Sequence, residues 1–258
     1  MTKTSLSDKK SYTEVCKLAA IDDNVFNTFK QNPGYNEILE HTSYELGLAY
    51  LTELPDDFNF DAGRLNDKFG GAQPVNYPNI GMISPSSLRY LKVANEIKTL
   101  FGSTQDFNIG EVGCGYGAQS LILHRLYGWK SYEFYDLIEP LLLIEKYLKV
   151  NDINTDESCG FNYGNDINSF EKPEYDLVIS NYAFSELTRK IQDIYLDKVL
   201  LPAKRGYLTM NFISRTGGIY SYSRDEILEE LSSKNPQVLP EIPLTSPDNL
   251  VIIWGQND

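Results

Sequence analysis

Cysteine and histidine are scarce in this sequence of 258 residues, which has three cysteines and two histidines. The cysteines are Cys16, Cys114 and Cys159, and no Cys-x-x-Cys pair occurs, so the common zinc-binding spacings and a disulfide framework are excluded. An odd number of cysteines is typical of a reducing compartment and favours a cytoplasmic protein. Because no ligand cluster with a recognisable spacing is present, we expect no metal.

Basic residues and long apolar runs are also few. Lysine and arginine number 23 against 36 acidic residues, and the net charge of −13 disfavours binding to nucleic acid or to an anionic membrane surface. The longest dense apolar run, residues 141–144, is far too short to span a bilayer. No apolar stretch follows the opening MTKTSLSDKK, so no signal peptide is predicted. These features favour a small-molecule partner.

The first part of the chain predicts helices and loops. Residues 35–53 carry one apolar helical face, whereas residues 55–83 have the prolines and glycines of a long loop. Loops of this length are usually functional or disordered, so this one is predicted to be either a lid over the ligands or a surface loop that tethers the N-terminal helices. Ser84 and Pro85 are typical of a helix start. We therefore predict an N-terminal helical cap and lid region over residues 1–104.

In the remainder, residues 105–258, short β-like runs alternate with helical stretches. This pattern predicts a doubly wound, mostly parallel α/β sheet of the Rossmann-like type with helices on both faces. The last two runs are separated by a short loop typical of an antiparallel hairpin, which places an antiparallel terminal strand inside a seven-stranded sheet. The predicted strands are residues 107–112, 131–136, 159–163, 175–180, 206–212, 237–242 and 249–254.

The strongest motif is EVGCGYG at residues 111–117, between a predicted strand and a predicted helix. Its glycines permit a tight turn and close approach of a ligand to the backbone. The spacing of Gly113, Gly115 and Ala118 also satisfies the dinucleotide-binding fingerprint. However, Glu111 would crowd a pyrophosphate with like charge, and it can instead pair with a cationic amino-acid moiety.

Polar residues follow three further predicted strands. A carboxylate at Asp136 can accept both ribose hydroxyls of an adenosine, in NAD and in S-adenosylmethionine equally. Asp166 can accept the adenine amino group, and the N–H of Ile167 can meet a ring nitrogen. Asn181 ends the fourth strand beside the point where such sheets bind ligands. Together these positions predict an adenosine-containing ligand.

Several segments resemble a known family. EVGCGYG, YEFYDL and YDLVISNYAFSEL resemble the motifs of class I S-adenosylmethionine-dependent methyltransferases. SPSSLRYLKVANEIKTLFG, GYLTMNFIS and GGIYSYSRDEIL are similar to a bacterial sugar O-methyltransferase family found with surface-polysaccharide genes, and the likeness covers roughly residues 64–232. The resemblance implies the class I methyltransferase fold, the cofactor S-adenosyl-L-methionine, and O-methylation of a small-molecule or sugar acceptor in capsule polysaccharide biosynthesis.

The resemblance also implies site residues. The glycine motif would line the methionine and ribose end, Asp136 and Leu137 would hold the ribose and flank the adenine, and Asn181 and Tyr182 would lie near the sulfonium. Cys114 is interpreted as a small residue that fits the loop. The implied cofactor-binding set is Glu111, Gly113, Cys114, Gly115, Gly117, Asp136, Leu137, Asp166, Ile167 and Asn181.

A sugar hydroxyl is a poor nucleophile at neutral pH and benefits from a general base within hydrogen-bond reach. The candidates are Glu186, just past the fourth strand, and His41 in the N-terminal helices; with Tyr182 they form the predicted catalytic set. Arginines that could hold a phosphate on a nucleotide-linked or phosphorylated acceptor are Arg64, Arg89, Arg215 and Arg224.

Other functions stay open at this point. One is an NAD-dependent oxidoreductase or epimerase, although Tyr195 and Lys198 are one residue too close for the Tyr-x-x-x-Lys spacing and fall within a predicted helix. Another is a degenerate methyltransferase fold that acts as a binding subunit. Within the methyltransferases, an amine or phosphoramidate acceptor is an alternative, and a homodimer is not excluded.

Overall fold

The computed structural model describes Ser5 and residues 9–163, 173–213 and 218–256, so the predicted site residues Asp166 and Ile167 lie outside the described residues. The N-terminal part is mainly helical. Its helices are α1 (Lys10–Ile21), α2 (Asp23–Phe26), α3 (Pro33–Tyr35), α4 (Tyr44–Thr52), α5 (Asp61–Asn66) and α6 (Pro85–Phe101). Between α5 and α6 lies an antiparallel hairpin of β1 (Val75–Tyr77) and β2 (Gly81–Ile83).

The second part alternates strands with helices. The strands are β3 (Asn108–Val112), β4 (Ser131–Asp136), β5 (Cys159–Tyr163), β6 (Leu177–Asn181), β7 (Gly206–Met210), β8 (Gln237–Pro240) and β9 (Leu250–Trp254). The helices are α7 (Ala118–Tyr127), α8 (Ile138–Val150), α9 (Thr155–Ser158), α10 (Arg189–Tyr195) and α11 (Arg224–Glu230). Shorter 3-10 or π turns cover Phe29–Gln31, Asn36–Glu40, Ala183–Glu186, Leu196–Leu200 and Ser232–Lys234.

Strands β3 to β9 form one seven-stranded sheet in the order β5-β4-β3-β6-β7-β9-β8. The pairs among β3, β4, β5, β6 and β7 are parallel, and β9 runs antiparallel to both β7 and β8. The prediction of a mostly parallel seven-stranded sheet with an antiparallel terminal strand inside it is confirmed. The strand order reverses between β3 and β6, which creates a crevice at their carboxyl ends.

The central strands are buried on both faces, which explains why their sequences are continuously apolar. In β6, Leu177 and Ile179 belong to an apolar cluster with α1, α6, α7 and α8. Val178, which points the other way, belongs to a second cluster with α10 and α11. In β9, Ile253 and Trp254 divide between the same two clusters. Helices therefore cover both faces of the sheet, as predicted.

The helix predicted over residues 35–53 is interrupted. A π turn over Asn36–Glu40 ends at His41, and α4 begins only after Ser43. The Ser43 hydroxyl accepts the N–H of Leu46 at 3.2 Å and so caps a new helix. The apolar periodicity continues across the break, and for this reason the pattern alone did not reveal it.

Residues 55–83 do not line the large cavity described below, and their role as a lid stays a prediction. They form α5 and the β1–β2 hairpin instead, and their polar side chains are held by the fold. Asn66 donates to the hydroxyls of Ser87 and Tyr116 at 2.8 and 2.9 Å, and Asp67 accepts the hydroxyl of Ser84 at 2.6 Å. The segment is thus hydrogen-bonded to the start of α6 and to Tyr116 of the glycine loop.

The N-terminal helices pack directly on the sheet-bearing part. Helix α1 lies against α8, and one apolar cluster contains Tyr12 and Cys16 of α1 together with Leu141 and Tyr147 of α8. The division of the chain after residue 104 stays a prediction. Across the described residues, no helix is both long enough and apolar enough to cross a membrane.

Candidate active site

A cavity of about 830 Å³ opens at the carboxyl ends of β3, β4 and β6. This is the edge at which open α/β sheets bind ligands, and the volume is typical of a small-molecule site. The predicted residues that line the cavity are His41, Glu111, Gly113, Cys114, Gly115, Asp136, Leu137, Asn181, Tyr182 and Glu186. The structure thus brings together side chains that are up to 145 residues apart in the chain, from His41 to Glu186.

The loop between β3 and α7 depends on two glycines. Gly113 has a φ of +76°, and a Cβ at this position would lie 1.9 Å from the Cβ of Ala183. The glycine loop therefore contacts the turn that follows β6, and a side chain would separate them. Gly117 has a φ of +87° and precedes the first residue of α7. It lies outside the cavity wall, so its part in cofactor binding stays a prediction.

Asp136 connects the end of β4 to the glycine loop. Its Oδ2 accepts the N–H of Cys114 at 2.8 Å, and its Oδ1 accepts the N–H of Leu137 at 2.8 Å. Burial raises the pKa of Asp136 to about 6, although these backbone hydrogen bonds act to lower it. A carboxylate has about four acceptor sites, so each oxygen retains the capacity to accept a hydroxyl.

Glu111 is a buried carboxyl at the cavity wall, with a relative exposure of 2%. Its Oε2 accepts the hydroxyl of Tyr132 at 2.9 Å. Burial raises the pKa of Glu111 to about 8; the Tyr132 hydrogen bond lowers it, and the nearby Asp136 raises it further. A cationic group in the cavity would therefore stabilise the charged form of Glu111.

Cys114 is a packing residue of the loop. Its thiol donates to the carbonyl oxygen of Glu111 at 3.0 Å, and burial raises its pKa well above the ordinary value. A thiol in this environment is protonated and is a weak nucleophile. This geometry agrees with the interpretation of Cys114 as a small residue that fits.

Directly after β6, Tyr182 has an unusual backbone conformation. Its φ is +67°, which is uncommon for a residue other than glycine and is characteristic of functional sites. The Tyr182 N–H donates to the carbonyl oxygen of Thr209 at 2.8 Å, and the neighbouring Asn181 accepts the Thr209 hydroxyl at 3.2 Å. The Tyr182 hydroxyl lies in the cavity region and donates to Glu241.

Glu241 is a cavity residue that sequence reasoning missed. The predicted strand 237–242 contained it, whereas β8 ends at Pro240 and leaves Glu241 at the carboxyl edge of the sheet. Because β9 is antiparallel to both of its neighbours, β8 is oriented like β6 and β7, and its end faces the same cavity. The signal that was available is an acidic residue directly after a strand, at the edge where Asp136 and Asn181 also lie.

The other two predicted catalytic residues differ in their surroundings. Glu186 is partly buried, and its Oε1 accepts an N–H of the Asn211 side chain at 2.8 Å. His41 is exposed at the cavity wall. Although the residue as a whole is exposed, partial burial of its imidazole and the nearby Arg89 lower its pKa, which favours the neutral form that can accept a proton.

Arg89 is the predicted anion-binding arginine that lines the cavity. Its guanidinium lies 4.9 Å from the centre of the Tyr90 ring and donates to the carbonyl oxygen of Leu39 at 3.1 Å. Arg64 forms an ion pair with Asp61 at 2.9 Å, away from the cavity. Arg224 lines a different, smaller hollow, and Arg215 is outside the described residues.

Comparisons with known proteins find related folds. A scan against protein families and a search of curated proteins both find no match. Among solved structures, the chain is similar to the N-terminal domain of EvdMO1 with SAH bound, at 15% identity and a TM-score of 0.49, over 76% of this chain and 94% of that one.

Two further solved structures show the range of proteins to which the chain is similar. Mitomycin 7-O-methyltransferase MmcR has 13% identity and a TM-score of 0.47, over 66% of this chain and 55% of that one. An rRNA methylase from Streptococcus thermophilus has 10% identity and a TM-score of 0.46, over 64% and 95%. These likenesses are too distant to assign a substrate. The sheet order and the inserted antiparallel strand are those of the class I methyltransferase fold, a Rossmann-like type.

The buried carboxyl of Glu111 generates a stability prediction. Because folding raises its pKa from about 4.5 to about 8, its contribution to stability is full below pH 4.5 and is lost as the pH rises through 8. Glu111→Gln keeps an acceptor for Tyr132 without the charge. We expect similar free energies of unfolding for variant and wild type at pH 5, and a variant more stable by about 1–3 kcal/mol at pH 8.5, in urea denaturation.

Glu226→Gln is a control in which the change in the free energy of unfolding has the opposite sign. The capping box with Ser223 lowers the pKa of Glu226 to about 2, so neutralising this carboxylate removes stability that is present at neutral pH. A Glu111→Gln variant whose advantage does not grow between pH 5 and pH 8.5 would contradict the burial argument.

Proposed function

We propose that this protein is an S-adenosylmethionine-dependent methyltransferase that methylates a hydroxyl of a small molecule or sugar. The observation that carries the proposal is that one cavity joins two unlike halves. One half, around Glu111, the glycine loop and Asp136, suits an adenosine with a cationic amino-acid tail. The other half, around Tyr182 and Glu241, presents polar side chains to an acceptor.

The choice of cofactor depends on the charge of the first half. An adenosine ribose suits Asp136, whose oxygens can each accept one more hydroxyl, but this holds for NAD as well. Glu111 separates the two, because an ammonium group would stabilise the charged form of this buried carboxyl, whereas a pyrophosphate would gain no ion pair with it. S-adenosylmethionine carries both an ammonium group and a sulfonium, and it supplies an electrophilic methyl group when bound.

The acceptor half favours a compact, hydroxyl-bearing molecule. The neutral polar side chains there include Thr209, Asn211 and Thr245, and Arg89 is available for a phosphate or a nucleotide moiety on the acceptor. The net charge of −13 disfavours a nucleic acid. Together with the resemblance of the motifs to sugar O-methyltransferases, these features support a sugar of the capsule or surface polysaccharide as the acceptor, with Glu186, His41 and Tyr182 around its hydroxyl.

The first experiment measures ligand binding by calorimetry. We expect S-adenosylhomocysteine to bind with one site per chain and NAD to show no binding. Binding of NAD without binding of S-adenosylhomocysteine would overturn the proposal in favour of an oxidoreductase or epimerase.

A second experiment identifies the acceptor. S-adenosylmethionine labelled in its methyl group is incubated with nucleotide sugars, free monosaccharides and a deproteinised extract of the source organism, with excess EDTA present. We expect transfer to continue in EDTA and the product to be a methyl ether. Recovery of activity only on added magnesium would contradict metal independence, and label on nitrogen or on a phosphoramidate oxygen would reassign the acceptor class.

Substitution of Asp136 tests the ribose contact. Asp136→Ala removes both carboxylate acceptors, and we expect S-adenosylhomocysteine to bind more weakly by about 1.5–3 kcal/mol, the scale of charge-assisted hydrogen bonds. Glu139→Gln is the matched control, because Glu139 is a neighbouring acid on α8 that does not line the cavity. Equal affinities for wild type and Asp136→Ala would remove Asp136 from the ribose role.

A further inference from the structure

The Tyr182 hydroxyl can act only as an acceptor toward the cavity. Its single proton is donated to the Glu241 carboxylate. The Thr245 hydroxyl lies 3.5 Å from the Tyr182 oxygen, but it donates to Glu241 at 2.8 Å. The phenol oxygen therefore retains a lone pair and has no proton to offer a ligand. A group that binds there must itself be a donor, such as a hydroxyl or an amine.

Glu241 is buried and is held in place by several hydrogen bonds. Its relative exposure is 5%, and its hydrogen-bond partners are neutral groups. Oε2 accepts the backbone N–H of Thr245 at 2.8 Å and a side-chain N–H of Asn249 at 3.1 Å, whereas Oε1 accepts the Tyr182 hydroxyl. These hydrogen bonds hold the carboxyl group of Glu241 in place, and the Tyr182 hydroxyl connects it to the cavity.

The other titratable groups around the pair come from three elements. Tyr50 on α4 and Tyr207 on β7 are close enough to interact electrostatically with Tyr182, and so is Arg89 on α6. Arg89 makes its hydrogen bonds to Leu39 and Tyr90 and carries the nearby positive charge. Burial and the adjacent Glu241 raise the pKa of the Tyr182 phenol, so the phenol is neutral at physiological pH.

We propose that Tyr182 and Glu241 form a proton relay, in which Tyr182 binds the acceptor hydroxyl and Glu241 takes up the proton that this hydroxyl releases. The inference rests on the proposed methyltransferase function and adds a positioning residue, Glu241, from the far end of the chain. Tyr182 is the catalytic residue because it contacts the acceptor, and Glu241 acts through it.

The step balances as follows for the acceptor. Its O–H bond breaks, the proton moves to the Tyr182 oxygen, and the phenol proton moves to Oε1 of Glu241. The acceptor oxygen forms a bond to the methyl carbon, while the bond from this carbon to the sulfonium sulfur breaks and its electron pair stays on sulfur. Glu241 ends neutral and afterwards loses its proton to solvent.

The alternative bases are less well placed for this task. Glu186 has its Oε1 occupied by the Asn211 amide, and His41 is exposed at the cavity wall. The cavity side chain that donates to Glu186, Asn211, is an amide and cannot pass on a proton as the Tyr182 hydroxyl can. Effective general bases lie within hydrogen-bond reach of the proton that they remove.

The first test needs no acceptor. The protein is labelled with 13C at the tyrosine Cζ, and Glu241→Gln is compared with wild type in a pH titration by NMR, with Tyr182→Phe to assign the signal. Glutamine keeps an acceptor for the phenol but removes the negative charge, so we expect Tyr182 to titrate about one pH unit lower or more in the variant. Tyr182 titrating near pH 10 in the wild type would overturn the relay.

Asp193→Asn is the matched control for this measurement. Asp193 accepts the hydroxyl of Tyr222 at 2.7 Å, and this second tyrosine–carboxylate pair lies outside the cavity wall. The substitution should shift the Tyr222 signal, leave Tyr182 unchanged and leave methyl transfer at the wild-type rate. Affinity for S-adenosylhomocysteine should stay within about twofold of wild type in Glu241→Gln, because Glu241 lies in the acceptor half.

The second test follows methyl transfer to the labelled products of the acceptor experiment. We expect Glu241→Gln to lower kcat about 100-fold, with little change in the acceptor KM and with a rate that rises with pH. Because the two residues act as one unit, the double variant with Tyr182→Phe should be no slower than Tyr182→Phe alone. A merely structural role would not produce this non-additivity together with unchanged S-adenosylhomocysteine binding.

The outcomes separate this inference from the proposed function. No labelled product with wild type defeats the function, and the relay with it. Product with wild type and an equal rate with Glu241→Gln defeats the relay alone. If Glu241→Gln does not fold, Tyr182→Phe decides: a folded Tyr182→Phe that binds S-adenosylhomocysteine and retains the wild-type rate also defeats the relay.

Discussion

The attachment of the glycine loop to the end of β4 by Asp136 is the contact on which the site depends. The carboxylate accepts the N–H of Cys114 and the N–H of Leu137, so one side chain fixes two adjacent strand ends. A backbone hydrogen bond from Gly113 to the carbonyl oxygen of Tyr135 strengthens the same junction. Because Asp136 holds the glycine loop in this position, Glu111 and the glycine backbone line the cavity, and the turn after β6 packs against Gly113.

The cavity places acidic groups where burial disfavours their charge. Burial raises the pKa of both Glu111 and Asp136. Such an arrangement costs stability in the empty protein and is compensated by a cationic ligand, whose presence restores the charged forms. A cofactor with an ammonium group and a sulfonium meets this requirement, whereas a pyrophosphate would not stabilise the charged forms. Burial of these acidic groups therefore both lowers the stability of the ligand-free protein and favours the binding of a cationic ligand.

Most strand and helix positions could be predicted because their signals are local. Buried runs such as residues 177–179 mark strands, and Ser84 with Pro85 marks the start of α6. Nine of the ten predicted residues in the cavity wall follow from the rule that strand ends share one edge, and the exception is His41. Glu241 could not be found in this way, since the end of β8 is set by its pairing with β9 and leaves no clear break in the local pattern. At Glu241 and at residues 55–83, the structure depends on contacts with other segments of the chain, which local sequence patterns do not show.

The N-terminal region is part of the site, and the glycine motif itself provides the reason. A Cβ at Gly115 would lie 3.0 Å from a methyl group of Leu39, so this glycine accommodates a residue from outside the sheet-bearing part of the chain. Tyr12 of α1 also lines the cavity and is close enough to interact electrostatically with Asp136. The change in sequence pattern near residue 104 therefore marks a change in secondary structure. Residues on both sides of this boundary line the cavity. The close approach of Leu39 to Gly115 couples the position of the N-terminal turn to the conformation of the glycine loop.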